Sequence, residues 1–177
     1  MITTTCGIAL LTIALNWCDA TKSTSLQERE AIETPYMSNR QLIAREKAIY
    51  KVKVYNLAVS LYFEERSSRT SDECIAAIGY VILNRVHSRH FPDTIQGVIW
   101  QPYQFSFTHD LKPEIMHNKV AEKRALQIAD KVLKFEIDNK VGDATHYLNK
   151  TISRATWWKS MKSRGKCGSH WFYKETR

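Results

Sequence analysis

The sequence predicts a mainly helical α+β domain carrying a small antiparallel β-sheet. Apolar residues recur at helical spacing in three separate stretches, within 54–61, 75–86 and 121–135. Two short segments near the C terminus, 144–148 and 169–173, alternate instead, as half-buried strands do. Capping and turn residues stand at the ends of these stretches. With 177 residues and 44% hydrophobic composition, the chain is long enough for one domain with its own core and a short appendage.

Residues 1–20 read as an export signal or weak anchor, 21–37 as a linker, and 38–177 as the folded domain. The apolar run from Gly7 to Leu15 is too short to span a bilayer comfortably. Cys18-Asp19-Ala20 ends on a small residue, as a signal-peptidase site does, which places cleavage after Ala20. Met1 to Cys6 holds no Lys or Arg, so an uncleaved anchor stays open as the alternative. A lipoprotein signal through Cys18 is disfavoured by bulky Trp17.

Ser38-Asn-Arg-Gln41 has the form of a capping box and opens the first helix. Val54, Leu57, Ala58 and Leu61 form its buried stripe, and Ser67-Ser68 end it. Thr70-Ser-Asp-Glu73 is a second capping box. Ile75, Ile78, Gly79, Ile82, Leu83 and Val86 follow it, marking the central buried helix. His90-Phe91-Pro92 stops this helix, and Asp93 is placed to cap a short one over 94–100. Residues 101–110 read as an aromatic-rich loop. Ala121, Ala125, Ile128, Val132 and Phe135 mark another helix, closing near Asp138-Asn139. Gly142-Asp143 reads as a turn before the first strand, and 154–161 as a short helix in the crossover to the second.

The net charge of +8 favours a polyanionic partner: nucleic acid, an anionic membrane face, or a cell wall with its peptide carboxylates. No recognisable nucleic-acid motif is present. Of the cysteines Cys6, Cys18, Cys74 and Cys167, none forms a Cys-x-x-Cys pair, so no zinc framework is expected. Removal of the N-terminal segment leaves Cys74 and Cys167. They either form one disulfide in an oxidising compartment or remain two unrelated thiols.

Several motifs then stand in a fixed order: Tyr62-Phe-Glu64-Glu-Arg66, Asn84-Arg85, Gln104-Phe105-Ser106, Ala144-Thr145-His146-Tyr147, and Gly168-Ser-His170-Trp-Phe-Tyr173. Their order and spacing resemble the cell-wall hydrolase family of the bacterial spore-cortex-lytic enzymes, especially its phage-borne members. The likeness runs from about Leu57 to Tyr173. It implies a lysozyme-superfamily architecture and a peptidoglycan glycosidase in which Glu64 is the acid. The family carries Tyr-(Gly or Tyr)-Glu-Ala-Arg-Gly-Glu at this helix end. Here Tyr62, Glu64 and Arg66 match, Glu65 replaces a small residue, and Ser67-Ser68 replace Gly-Glu.

Cleaving a sugar acetal needs a proton on the leaving oxygen and support for an oxocarbenium-like centre. A carboxylic acid serves if its environment favours the neutral form, as aromatic neighbours and a helix C terminus do. Periodicity does not single out Glu64, because Glu65 lies nearer the middle of the apolar stripe. The resemblance does. It further implies substrate contacts from Tyr62, Gln104, Ser106, Thr145, His146, Tyr147 and Trp157, with Tyr147 able to orient Glu64. Arg66, Phe105, His170 and Tyr173 are expected as support, and Asn84-Arg85 as structural hydrogen-bonders. His146 and His170, on strands expected to pair, are expected on one face.

The reaction expected is that of a lytic transglycosylase, cutting the MurNAc–GlcNAc bond with Glu64 as acid and then base. The alternatives are a hydrolysing muramidase drawing a second carboxylate from Asp72, Glu73, Asp110 or Asp143, and a non-catalytic wall-binding protein. A zinc amidase built on His109, His146 and His170 lacks supporting spacing. No cofactor or metal is expected. The partner is the peptidoglycan glycan strand rather than nucleic acid, and membrane contact comes only through an uncleaved N-terminal segment. The chain is expected to be a monomer, exported to the periplasm or cell envelope of a bacterial host. A phage lysis protein, or endolysin, is one setting that fits.

Overall fold

The computed structural model describes residues 37–65 and 69–176. The expected signal 1–20, all but residue 37 of the linker, and Arg66, Ser67 and Ser68 lie outside them. By contacts the chain divides into two units, Met1–Arg45 and Glu46–Arg177. In the first, the Ser38 amide donates to Gln41 Oε1 at 2.8 Å and the Gln41 amide to Ser38 Oγ at 3.4 Å. This reciprocal box opens helix α1, Asn39–Glu64.

In the second unit, α1 buries Leu57, Ala58, Val59, Ser60 and Leu61. Helix α2, Asp72–Val86, is the central helix, as its apolar density predicts, with every residue from Ile75 to Leu83 buried. Its cap is Ser71 rather than the expected Thr70: Ser71 Oγ accepts from the Cys74 amide at 3.4 Å. Thr70 is held outside the helix, its carbonyl accepting from Arg124 Nη2 at 2.6 Å. Helix α3, Ile95–Ile99, is capped by Thr94, whose Oγ1 accepts from the Gly97 amide at 3.0 Å, and not by Asp93. Gly97 is required there. A Cβ would lie 2.8 Å from Pro92 Cβ and 2.9 Å from Thr94 Oγ1. The expected 101–110 loop contains a 3-10 turn, Ser106–His109.

Helix α4, Lys119–Leu133, is capped by Asn118, whose Oδ1 accepts from the amides of Val120 and Ala121 at 3.0 and 3.1 Å. It ends earlier than its stripe suggests. Phe135, expected on the buried face, takes φ +57° and is 71% exposed. A left-handed residue just past the last turn has left the helix, so its side chain no longer follows the stripe.

Strands β1 (His146–Leu148), β2 (Met161–Cys167) and β3 (His170–Glu175) form an antiparallel sheet in the order β1-β3-β2. The two alternating segments pair as expected, with Tyr147 opposite Phe172 and His146 opposite Tyr173. Strand β2 was not expected. The helix foreseen over 154–161 is a 3-10 turn, Trp157–Ser160, leading straight into it. Met-Lys-Ser-Arg-Gly-Lys-Cys shows no apolar alternation because β2 is an edge strand. Its charges suit an exposed edge, and a bulge interrupts its pairing between Ser163 and Gly165. Gly168 takes φ +59° in the two-residue turn between β2 and β3, where a side chain would be strained.

Opposite residues in an antiparallel pair share a face. Tyr147, His170 and Phe172 therefore lie on one face of the sheet, and His146, Leu148, Trp171 and Tyr173 on the other. The expected common face for His146 and His170 is thus corrected. Residues 146 and 173 are register partners, and 170 is an odd number of residues from 173. Cys74 Sγ is bonded to Cys167 Sγ at 2.05 Å, joining the first turn of α2 to the end of β2. Among the described residues no helix is long and apolar enough to cross a membrane.

Candidate active site

The end of α1 meets the first face of the sheet through one hydrogen bond. Tyr147 Oη donates to Glu64 Oε2 at 2.9 Å. The helix supplies Glu64 as its last residue, and the short strand β1 aims Tyr147 at it. Two aromatic contacts hold the phenol. Its ring lies 5.9 Å from Phe172 and meets His170 edge-on at 5.3 Å. Burial, then the charge and hydrogen bond of Glu64, push the Tyr147 phenol well above its ordinary range. It therefore stays protonated and donating at every physiological pH.

Arg85 approaches from α2. It is 5% exposed, its Nε donates to the Thr145 carbonyl at 2.7 Å, and its guanidinium stacks over Phe91 and Phe105. Burial lowers its pKa, while electrostatic interaction with Tyr147 and Glu64 acts the other way. A buried cation thus sits within electrostatic reach of the carboxylate. Its Nη1 has no hydrogen-bond partner among the described residues. Asn84, next to it, makes the structural bonds expected of it, donating to the carbonyls of Gly142 and Ala144 at 2.8 Å. These bonds fix the chain entering β1.

On the other side of Tyr147, His170 Nδ1 lies 3.8 Å from Glu65 Oε2, with both side chains nearly out of solvent. Burial lowers the His170 pKa and the Glu65 carboxylate opposes it. The motif comparison gave Glu65 no role. Its place beside the apolar stripe was the signal that could have found it.

The remaining expected site residues are spread more widely. Tyr62 Oη accepts from the Asn118 amide at 3.1 Å and so ties α1 to the cap of α4. Gln104 and Ser106 are exposed. Their loop is anchored near Glu64 by the Phe107 ring stacked on Phe63 at 5.1 Å. Phe105 is 1% exposed, in the core under Arg85. Thr145 is buried, its amide donating to the Tyr173 carbonyl at 3.0 Å and its Oγ1 meeting His146 Nδ1 at 3.0 Å. His146, Trp157 and Tyr173 belong to the opposite face from Tyr147. The His146 and Trp157 rings lie 5.5 Å apart, and Trp157 meets Tyr173 edge-on. Tyr173 is 2% exposed, and its Oη has no hydrogen-bond partner among the described residues. Arg66 lies outside the described residues.

The carboxylates weighed as partners for Glu64 are engaged elsewhere. Asp72 binds Arg124, and Asp143 grips Arg164 in a two-pronged pair that lowers its pKa. Glu73 turns to Ser71 at the start of α2, and Asp110 accepts from the Lys112 amide. The histidines of a zinc site are not assembled: His109 stacks on Tyr103, while His146 and His170 occupy opposite faces of the sheet. Among the described residues no group of three or more His, Cys, Asp or Glu is arranged to hold a metal ion. An apolar hollow of about 450 Å³ opens beside Glu65, walled by Tyr62, Phe63, Ile115, His117 and Arg124.

Comparison with known proteins adds the family. Residues 69–173 match the model of the Cell Wall Hydrolase family. Glu64 lies just before this stretch, so its place in the site rests on its motif and on Tyr147. A spore cortex-lytic enzyme of Bacillus cereus is 30% identical over 118 residues, covering 67% of this chain and 42% of that protein. The chain thus spans about two-fifths of that curated relative's length. The catalytic domain of the germination-specific lytic transglycosylase SleB from Bacillus anthracis superposes with a TM-score of 0.52 at 28% identity, over 69% of this chain and 93% of that one. The SleB catalytic domain of Bacillus cereus gives 0.51 at 29% identity, over 69% and 89%. The fold is the lysozyme-like one expected, mainly helical with a small antiparallel sheet, and the chain belongs to the cell wall hydrolase family.

Proposed function

We propose that this chain is a peptidoglycan-degrading glycosidase of the lytic transglycosylase type, cutting the MurNAc–GlcNAc bond with Glu64 as the single general acid and base. The observation that carries this is the Tyr147 hydrogen bond to Glu64, on a family scaffold whose similar solved domain is called a lytic transglycosylase. Glu64 gives its proton to the glycosidic oxygen as the bond to the sugar's anomeric carbon breaks. The carboxylate left behind is steadied by the Tyr147 hydroxyl and faces the buried charge of Arg85. It also stabilises the oxocarbenium-like sugar. It then takes the proton of the sugar's own 6-hydroxyl as that oxygen attacks, leaving a 1,6-anhydromuramyl end. No second carboxylate is required, in keeping with the engagement of Asp72, Asp110 and Asp143 elsewhere.

Gln104 and Ser106, exposed on a loop anchored beside Glu64, supply hydrogen bonds to the glycan. The substrate lies outside the cytoplasm, so the chain works in the bacterial envelope or periplasm, exported by residues 1–20 and acting as a monomer. The N terminus of protein recovered from the periplasm tests this. A start just after Ala20 supports export with cleavage, whereas protein confined to the cytosol contradicts it. Wall binding tests catalysis against mere adhesion. Glu64→Gln is expected to sediment with purified peptidoglycan yet release nothing, and release equal to wild type removes Glu64 from the chemistry.

A further inference from the structure

Behind the Tyr147–Glu64 hydrogen bond stands a second layer, built by the residue that departs from the family motif. The Glu65 side chain is 7% exposed and that of His170 12%. A carboxylate so far out of water needs a compensating partner. Its Oε2 lies 3.8 Å from His170 Nδ1, which also has Ser169 Oγ at 3.3 Å. The imidazole then meets the Tyr147 ring edge-on, at 5.3 Å and 85°. Three elements converge here: the end of α1, strand β1 and strand β3. The pair touches the phenol that holds Glu64.

We infer that Glu65 and His170 are positioning residues, a carboxylate–imidazole pair that sets the orientation of Tyr147 and through it the Glu64 carboxyl. This rests on the reading of Glu64 as the acid. Neither group needs to touch the sugar. Glu65 fixes the ring of His170, the ring fixes the tilt of Tyr147, and the hydroxyl of Tyr147 fixes Glu64. A small residue at position 65 could not do this, so the pairing belongs to this chain rather than to the family pattern. Among the described residues, those in contact with the His170 ring are Glu65, Ser169, Tyr147 and Phe172. Glu65 is the one charged group among them, and its carboxylate favours the protonated imidazole against burial.

The test uses the full chain with soluble glycan fragments and the variants E64Q, E65Q, E65D, H170N and E65Q/H170N. E65Q is expected to lower kcat about tenfold at nearly constant KM, since small displacements of a catalytic group are costly. E65D is expected to recover part of the loss. H170N should match E65Q, and the double variant should lose no more than either, because the two act as one unit. In the NMR titration of wild type and E65Q, the His170 midpoint is expected to move to lower pH once the carboxylate is gone. A merely structural Glu65 would leave the KM–kcat split unmoved. Wild-type kcat in E65Q overturns the inference, as do losses that multiply in the double variant. If H170N does not fold, E65Q decides alone. An inactive E64Q beside a fully active E65Q rejects the pair and spares Glu64, whereas an active E64Q rejects the reading beneath both.

Discussion

At the scale of single residues, the site is a carboxylate whose surroundings have each been given a task. Tyr147 donates to Glu64, and Arg85 lends charge from the core. Removing the phenol hydroxyl alone separates orientation from packing. Tyr147→Phe keeps the ring against His170 and Phe172 but deletes a hydrogen bond to a charged group, worth about 1.5–3 kcal/mol. We expect kcat to fall about 10- to 100-fold with the fold intact by circular dichroism. An unchanged kcat would show that Tyr147 does not serve Glu64. Only its motif singles out Glu64, because a Glu-Glu-Arg run at a helix end ordinarily reads as a solvated tip. Periodicity pointed to Glu65, and the structure explains why: its side chain is nearly buried, against His170. That contact joins residues distant in sequence, so no local pattern announces it.

At the scale of elements, helices were easier to read than strands. Helix α2 carries apolar residues on all sides and is buried on all sides. Its cap was misplaced by one residue because Thr70 and Ser71 are chemically alike, and only the Arg124 contact separates them. Strand β2 was invisible, since an exposed, bulged edge needs no apolar alternation. What holds this edge is β3 and the Cys74–Cys167 bond. Breaking a link that closes 93 residues of chain is expected to cost about 2–4 kcal/mol. Cys74→Ser/Cys167→Ser should therefore unfold at lower denaturant than wild type, and equal midpoints would show that the bond adds nothing. The sheet also carries a pH dependence. Burial depresses the pKa of both His146 and His170 from 6.5. The unfolded chain then takes up their protons first, so stability present above pH 6.5 is lost as pH falls through the folded-state values. The unfolding temperature should drop between pH 7.5 and about 5 in wild type, and by less in His146→Asn. An equal drop in that variant would assign the effect to other groups.

At the scale of the whole molecule, the fold class and the family were both within reach of the sequence. The ordered motifs after Tyr62–Arg66 all lie within the stretch, 69–173, that matches the family model. The arrangement of the site was less so. His146 and Trp157 were expected to contact substrate; strand register puts His146 on the other face of the sheet from Tyr147, and the Trp157 ring packs beside it. Register is a property of paired strands, and β1 offers only three residues from which to judge it. The basic charge of +8 suits an anionic wall, and binding to peptidoglycan should weaken as salt rises. In the proposed reaction Glu64 cuts the glycan, and the sugar's own hydroxyl, not water, closes it. Mass spectrometry of the fragments released from purified peptidoglycan tests both parts at once. Wild type should release muropeptides ending in 1,6-anhydromuramyl residues, lighter by one water than hydrolysis products, and Glu64→Gln should release none. Anhydro fragments from Glu64→Gln, or only hydrated reducing ends from wild type, would contradict the account.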